Sequence, residues 1–203
     1  MREKYYSSRG CATLDAVARN AGRRAELADA GIAVLAREGS RGLTHRAVDA
    51  ECGAPTGTTS NYFRSRAELL EGLVARISER LAPDPEVLAE LASHPPGRAS
   101  FGRHLRDIVR RLSAHPEVTL AWFELRLEAA RRPEVADLMR GVLLEGFRGD
   151  VAYNEAAGLP GGPAEIALFH YAVDGLLFDR LTVSIDPDTP TDEVVEALVD
   201  GLL

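Results

Sequence analysis

Leu43 to Leu70 reads LTHRAVDAECGAPTGTTSNYFRSRAELL, and its middle, Thr56-Gly57-Thr58-Thr59-Ser60-Asn61-Tyr62-Phe63, holds hydroxyls and an amide where a core helix would hold aliphatic side chains. Thr44 is suited to cap a helix that opens at His45 and carries Ala47, Val48 and Cys52, because its hydroxyl can accept from the unsatisfied first-turn amides. Gly53-Ala54-Pro55 stops that helix: glycine takes the left-handed position past a C-terminus, and proline cannot continue the ladder. A second, very short helix fits Thr56 to Phe63, with Phe63 as its anchor in the core. Ser65-Arg66-Ala67-Glu68 has capping-box spacing, so a third helix opens at Arg66 and continues with Leu69, Leu70, Leu73, Val74, Ile77 and Leu81 on a helical repeat. Helix, tight glycine turn and short polar helix is the grammar of a helix-turn-helix, whose second helix enters a DNA groove.

Upstream, Leu27, Ala28, Gly31, Ile32 and Leu35 form one stripe of a supporting helix from Arg23 to Glu38, closed by Gly39. Residues 1–20 show no period over their first dozen positions and carry Arg2, Lys4 and Arg9; they are expected to form a flexible N-terminal arm. Downstream of the connecting helix the pattern is helical throughout: a short helix over Asp84–Ala92, an interruption at Pro95-Pro96-Gly97, then helices near Ser100, over Glu117–Ala130, over Glu134–Ala157, over Ala164–Thr182 and after Thr189-Pro190. In the helix near Ser100, Phe101, Leu105, Ile108, Val109 and Leu112 share one face, with Arg103, Arg106, Arg110 and Arg111 largely on the other. The fold class predicted is all-α.

Of 203 residues, 45% are hydrophobic and 27% charged, enough for a sizeable core. The net charge of -7 speaks against nucleic acid until its distribution is read. Residues 1–80 carry 13 Arg/Lys against 10 Asp/Glu, and residues 81–203 carry 11 against 21. A mildly basic head on an acidic body docks head-first on a polyanion. No run of 18 apolar residues and no signal-peptide core occurs, which predicts a cytoplasmic protein without a membrane partner. Cys11 and Cys52 read as reduced thiols. The histidines (His45, His94, His104, His115, His170) lack metal-ligand spacing, Asp84/Glu86 and Asp186/Asp188 flank prolines in loops, and no HExxH, GxSxG, P-loop or dinucleotide fingerprint occurs. Neither metal, cofactor nor enzymatic chemistry is expected.

On the run from Arg23 to Arg80 the chain resembles the DNA-binding domain of tetracycline-repressor-type (TetR family) bacterial regulators. The matching residues are Gly39, Leu43-Thr44, Gly53, Gly57-Thr58 and Phe63-x-Ser65-Arg66-x-Glu68-Leu69. It departs in two places. Where the family has a phosphate-holding aromatic, Ser60 stands here, followed by Asn61-Tyr62, so that Tyr62 takes that role or the register shifts. Where the family has a small alanine in the first of the two helices, Asp49 stands, which either widens the helix crossing or tilts to the rim.

The domains expected are therefore an arm over 1–20, a three-helix helix-turn-helix domain over 21–66 and a helical ligand-binding and dimerisation domain over 67–203. Thr44 and Arg46 are assigned to phosphates or groove edges, Thr56, Thr58, Thr59 and Asn61 to the recognition surface, and Tyr62 and Arg66 to the DNA backbone. The apolar helix 163–182 and the narrow-striped helix 190–203 suggest a homodimer through a four-helix interface, as the resemblance also implies; covering the subunit's own core is the alternative. The resemblance further implies a small-molecule cavity between residues 100 and 182. Its candidate lining is Phe101, His104, Leu105, Trp122, Phe123, Arg126, Met139, Leu143, Phe147, His170, Tyr171 and Asp174, with an anionic or polar ligand group expected near Arg126 unless Arg126 and Asp174 pair with each other. The function expected is a repressor that binds a palindromic double-stranded operator as a homodimer and is released by a small-molecule effector. The alternative is a helical dimer acting through a protein partner, with a vestigial helix-turn-helix.

Overall fold

The computed structural model describes residues 8–203, with side chains from Asn20 onward. The described residues form ten α-helices and no strand, the all-α class expected. They divide into two compact units, the first ending at Arg76 and the second running Ile77–Leu203.

The first unit holds α1 (Ser8–Gly42), α2 (His45–Glu51), α3 (Thr58–Tyr62) and the opening turns of α4 (Arg66–Arg80). Gly39, at φ 67 and ψ -176, breaks the helical geometry near the end of α1, where the stripe was expected to close. The start of α1 differs from the reading of residues 1–20 as an arm, since helix is described from Ser8. The physical reason is composition: residues 11–21 contain neither proline nor glycine and include four alanines, the best helix former. Arg2 and Lys4 lie outside the described residues, as does the side chain of Arg9.

The unit also extends ten residues past the expected boundary at 66, because the first turns of α4 are part of its core. Leu69, Leu70, Leu73 and Val74 are buried with Leu27, Ile32 and Leu35 of α1, and Arg76 makes a two-pronged pair with Asp29 at 3.0 and 2.8 Å. Phe63 is fully buried, the anchor expected of it, and Gly72 makes its seat: a Cβ there would stand 2.2 Å from Phe63 Cε1. Full burial of such a ring contributes roughly 1.5–3 kcal/mol.

In the second unit α5 (Pro85–Ala92), α6 (Arg98–Ser113), α7 (Pro116–Ala129), α8 (Pro133–Ala156), α9 (Pro163–Leu181) and α10 (Thr191–Leu202) follow the last residues of α4. Four of these begin on proline, whose fixed φ and missing N–H suit a first helical position. Pro190 occupies the cap position of α10, while the Thr189 hydroxyl bonds Asp186 at 2.6 Å and its carbonyl accepts from Arg180. Phe101, Leu105 and Val109 of α6 pack with Phe123 of α7, with Ile166, Phe169, Val173 and Leu177 of α9 and with Val195 and Val199 of α10, so α6 is the central helix of this core. Asn154 closes the turn after α8 by donating to the carbonyls of Leu159, Pro160 and Gly161 at 2.8–3.3 Å.

Candidate nucleic-acid interface and inner cavity

Three residues fix the geometry of α2 and α3. Thr44 caps α2 by accepting from the Ala47 amide at 3.1 Å, and Gly57 precedes α3 at φ 93, a left-handed conformation that side chains other than glycine's rarely tolerate. The third is Asp49. It neither widens the crossing nor tilts to the rim: it is 3% exposed, and its carboxylate accepts from the Gly57 amide at 2.7 Å, the Thr59 amide at 2.7 Å and the Thr59 hydroxyl at 2.5 Å. A five-residue helix has no side-chain cap of its own here, so the acid of α2 satisfies the first amides of α3 from behind. Burial pushes the Asp49 carboxyl up, but the Thr59 hydroxyl and the two amides together outweigh it, and the group sits below its ordinary value.

This arrangement corrects two expected contacts. Thr59 is fully buried with its hydroxyl committed to Asp49, so it belongs to the clamp and not to the recognition surface. Arg66 is not free to meet a phosphate either. Its guanidinium donates to the Leu43 carbonyl at 2.6 Å and to the Ser40 carbonyl and hydroxyl at 2.8 Å each, tying the start of α4 to the chain after the Gly39 break. Orphan carbonyls past a helix end attract such a donor. The other assigned residues face outward to differing degrees: Thr44, Arg46, Thr56 and Asn61 are exposed, Thr58 and Tyr62 half-buried. Thr58 donates its hydroxyl proton to the Pro55 carbonyl at 2.6 Å, which leaves its oxygen as an acceptor. Ser60 is exposed on the same helix, and Arg41 and Arg64 are exposed with no ion pair among the described residues. The Arg24 guanidinium stacks 4.2 Å from the Phe63 ring centroid and donates to the Tyr62 carbonyl, which pins the end of α3.

The second unit encloses a cavity of about 660 Å³. Nine of the twelve expected lining residues face it: Phe101, His104, Leu105, Trp122, Phe123, Leu143, Phe147, His170 and Asp174. Three do not. Arg126 and Met139 border a smaller recess of about 330 Å³ beside Ala136 and Leu144, and Tyr171 is 70% exposed. Arg126 is turned aside by its ion pair with Asp174, the pairing that was the alternative to a ligand contact, and Tyr171 sits on the turn of α9 opposite the buried Phe169 and Val173.

The cavity's polar wall was mostly unforeseen. His104 bonds the Tyr153 hydroxyl through Nε2 at 2.9 Å and the Ser100 carbonyl through Nδ1 at 2.9 Å, and His170 Nε2 lies 3.0 Å from Asp150. Arg111, on α6, lines the same space and donates to the Leu81 carbonyl, with Asp107 Oδ2 3.7 Å from its Nε. Ile77, Ser78 and Leu81 line it from the chain around the end of α4. Helical periodicity puts Arg111 with three other arginines on a polar face and contains no signal that singles it out; only the packing of α6 among its neighbours does so.

Residues 96–203, more than half the chain, match the family model described as the tetracyclin repressor-like C-terminal domain. The chain belongs to the TetR family. Its relatives agree in kind. The HTH-type transcriptional regulator BetI of Rhizobium meliloti (strain 1021) is 27% identical over 161 residues, spanning 76% of this chain and 75% of BetI. A TetR-family member from Streptomyces coelicolor A3 superposes with a TM-score of 0.63 at 25% identity, covering 89% of this chain and 98% of that one. The multidrug binding protein EbrR complexed with imidazole does so at 0.61 and 26%, covering 89% and 94%. As a TetR-family transcriptional regulator the chain has a helix-turn-helix in its first unit and a family-typical helical body in its second. Among the described residues no helix is long and apolar enough to cross a membrane.

Proposed function

We propose that this TetR-family regulator is a homodimeric repressor that reads a palindromic operator through α3 and leaves it when a small molecule enters the cavity of the second unit. The observation that carries the reading is the Asp49–Thr59 clamp: it holds α3 from the protein side and leaves Thr56, Thr58, Ser60 and Asn61 for base edges. Thr58 accepts only, which suits the donor amino groups of adenine or cytosine, and Asn61 suits adenine. Thr44, Arg41, Arg46, Tyr62 and Arg64 supply the phosphate contacts around them.

Dimerisation is supported by an exposed apolar stripe on α9, where Leu168, Tyr171 and Phe178 are 46%, 70% and 50% exposed on a heptad-like repeat, Phe178 also meeting the Phe123 ring edge-on. Of the two helices expected at the interface, α9 has the apolar material. α10 turns Val195 and Val199 inward toward α6 and shows Asp192, Glu193, Glu196 and Asp200 outside. A regulator of this kind works in the cytoplasm. The reading that EbrR is a multidrug binding protein adds support for a small-molecule role of the cavity.

Selection of binders from a random duplex pool, followed by fluorescence anisotropy on the enriched sequence, tests this. The expected product is an inverted repeat bound in a salt-sensitive manner by a dimer, with Asn61→Ala relaxing preference at one position per half-site by roughly 1–3 kcal/mol. Failure to enrich any sequence favours action through a protein partner and sinks the proposal.

A further inference from the structure

We propose that the effector is a monoanion on an apolar body, received by Arg111, and that it competes for the guanidinium that otherwise holds the end of α4. The inference rests on the cavity being the effector site and names the chemistry it selects. Its apolar wall comes from Phe101, Trp122, Phe123, Phe147 and Phe169, and its volume, about 660 Å³, suits a small molecule.

Charge decides the class. Each carboxylate on the wall already has a hydrogen-bonding partner: Asp107 accepts from Arg110 at 2.6 Å, Asp150 lies 3.0 Å from His170 Nε2, and Asp174 is bridged to Arg126. The guanidinium of Arg111 is less fully used, its ion pair with Asp107 being a long one. Arg111 has a side chain only 20% exposed, yet Nη1 alone is used, on the Leu81 carbonyl; Nε is shut off from solvent with no hydrogen-bond partner among the described residues, and Asp107 at 3.7 Å is too distant to supply one. A largely buried guanidinium on a cavity wall costs free energy that an oxyanion recovers, since a bond from an ionised donor to an ionised acceptor is shorter and stronger than a neutral one. Burial lowers the Arg111 pKa, against Asp107 and Asp150, which raise it. The same two aspartates, with Asp174 also on the wall, repel a second negative charge on the ligand, which favours a monoanion over a dianion.

The position of Arg111 connects binding to regulation. Leu81 follows the last residue of α4, and its carbonyl is among the groups a helix end leaves without an internal partner. An anion that draws the guanidinium toward itself weakens that bond and loosens the last turn of the helix whose first turns belong to the DNA-binding unit.

The test uses the full-length protein and three probes with one apolar body: decanoate, decanol and decylamine. Binding is followed by Trp122 fluorescence, the chain's sole tryptophan being on the cavity wall. Decanoate should bind roughly tenfold or more tightly than decanol, as a charge-assisted bond implies. Arg111→Gln should bring decanoate down to the level of decanol, while unchanged decanol binding reports an intact cavity; Arg111→Lys, charged but without the fork, should fall between. Amide exchange over residues 78–82 should quicken with decanoate and not with decanol. Tighter binding of decylamine, a decanoate preference that survives Arg111→Gln, or no binding of any probe overturns the anion site. Exchange that is unmoved by bound decanoate overturns the link to α4. Operator release by decylamine, insensitive to Arg111→Gln, would leave the repressor reading standing and sink this one; a decanoate site in a protein that selects no operator would do the reverse.

Discussion

Asp49→Ala removes the acceptor on which α3 is hung. Three donors lose their partner at once, the Gly57 amide in a half-buried setting and the Thr59 amide and hydroxyl in a buried one, at 2.7, 2.7 and 2.5 Å in the parent protein. A hydrogen bond to a charged group contributes about 1.5–3 kcal/mol, but three bonds to one carboxylate do not add, and part of their gain is spent on keeping a charge buried. Loss of an ordinary N-cap, about 1 kcal/mol, is the floor. We expect a loss of about 3 kcal/mol, a large share of the roughly 5–15 kcal/mol typical of a folded protein, and a fall in melting temperature of roughly 6–12 °C for a chain of this size. Asp49→Asn retains one acceptor and should cost about half as much. Because the folded-state carboxyl lies below its unfolded value, its contribution is complete above about pH 4 and is lost as pH falls through the folded value. The stability gap between parent and Asp49→Asn, measured by urea unfolding with circular dichroism, should therefore be constant from pH 5 to 8 and close in acid. A loss under about 1 kcal/mol for Asp49→Ala, or a gap that widens in acid, would refute the clamp.

Arg66→Ala should cost roughly 2–3 kcal/mol of stability through its three bonds to Ser40 and Leu43, and leave the salt dependence of DNA binding unchanged, whereas Arg46→Ala should spare stability and reduce the salt slope by about 0.9. Urea unfolding and salt titrations separate the two. Gly72→Ala sets a methyl against the Phe63 ring and should destabilise by roughly 1–3 kcal/mol in the same unfolding assay unless the ring finds another seat. Tyr171→Glu, on an exposed side chain of α9, should shift the dimer toward monomer in sedimentation equilibrium without lowering helical content; an unchanged dimer places the interface elsewhere.

Much of the helix-turn-helix can be read from residue order because its signals are local. A cap, a left-handed glycine and a capping box act within four residues, and Thr44, Gly53 at φ 62 and Ser65 behave as their types require. Even there the reach of Glu68 differs: its carboxylate accepts from the Arg64 amide at 2.9 Å, one residue before the cap. Phe63 as an anchor was legible for a related reason, being the wholly apolar aromatic in a polar run. Thr59 was not, since one buried hydroxyl among several is marked only by an acid ten residues away, and two helices must pack before the two meet.

Chain order alone thus determined an all-helical protein and the place of the short polar helix of its helix-turn-helix, both of which follow from helical repeats and turn chemistry. Tertiary structure decided where the charged side chains are spent. Arg66 is spent on Ser40 and Leu43 and Arg126 on Asp174, while Arg111, held to Leu81, is brought to the cavity wall. The reason is that a guanidinium's fate depends on carbonyls and carboxylates brought within about 3 Å by packing, over separations from 23 to 48 residues along the chain, and no local pattern encodes those encounters.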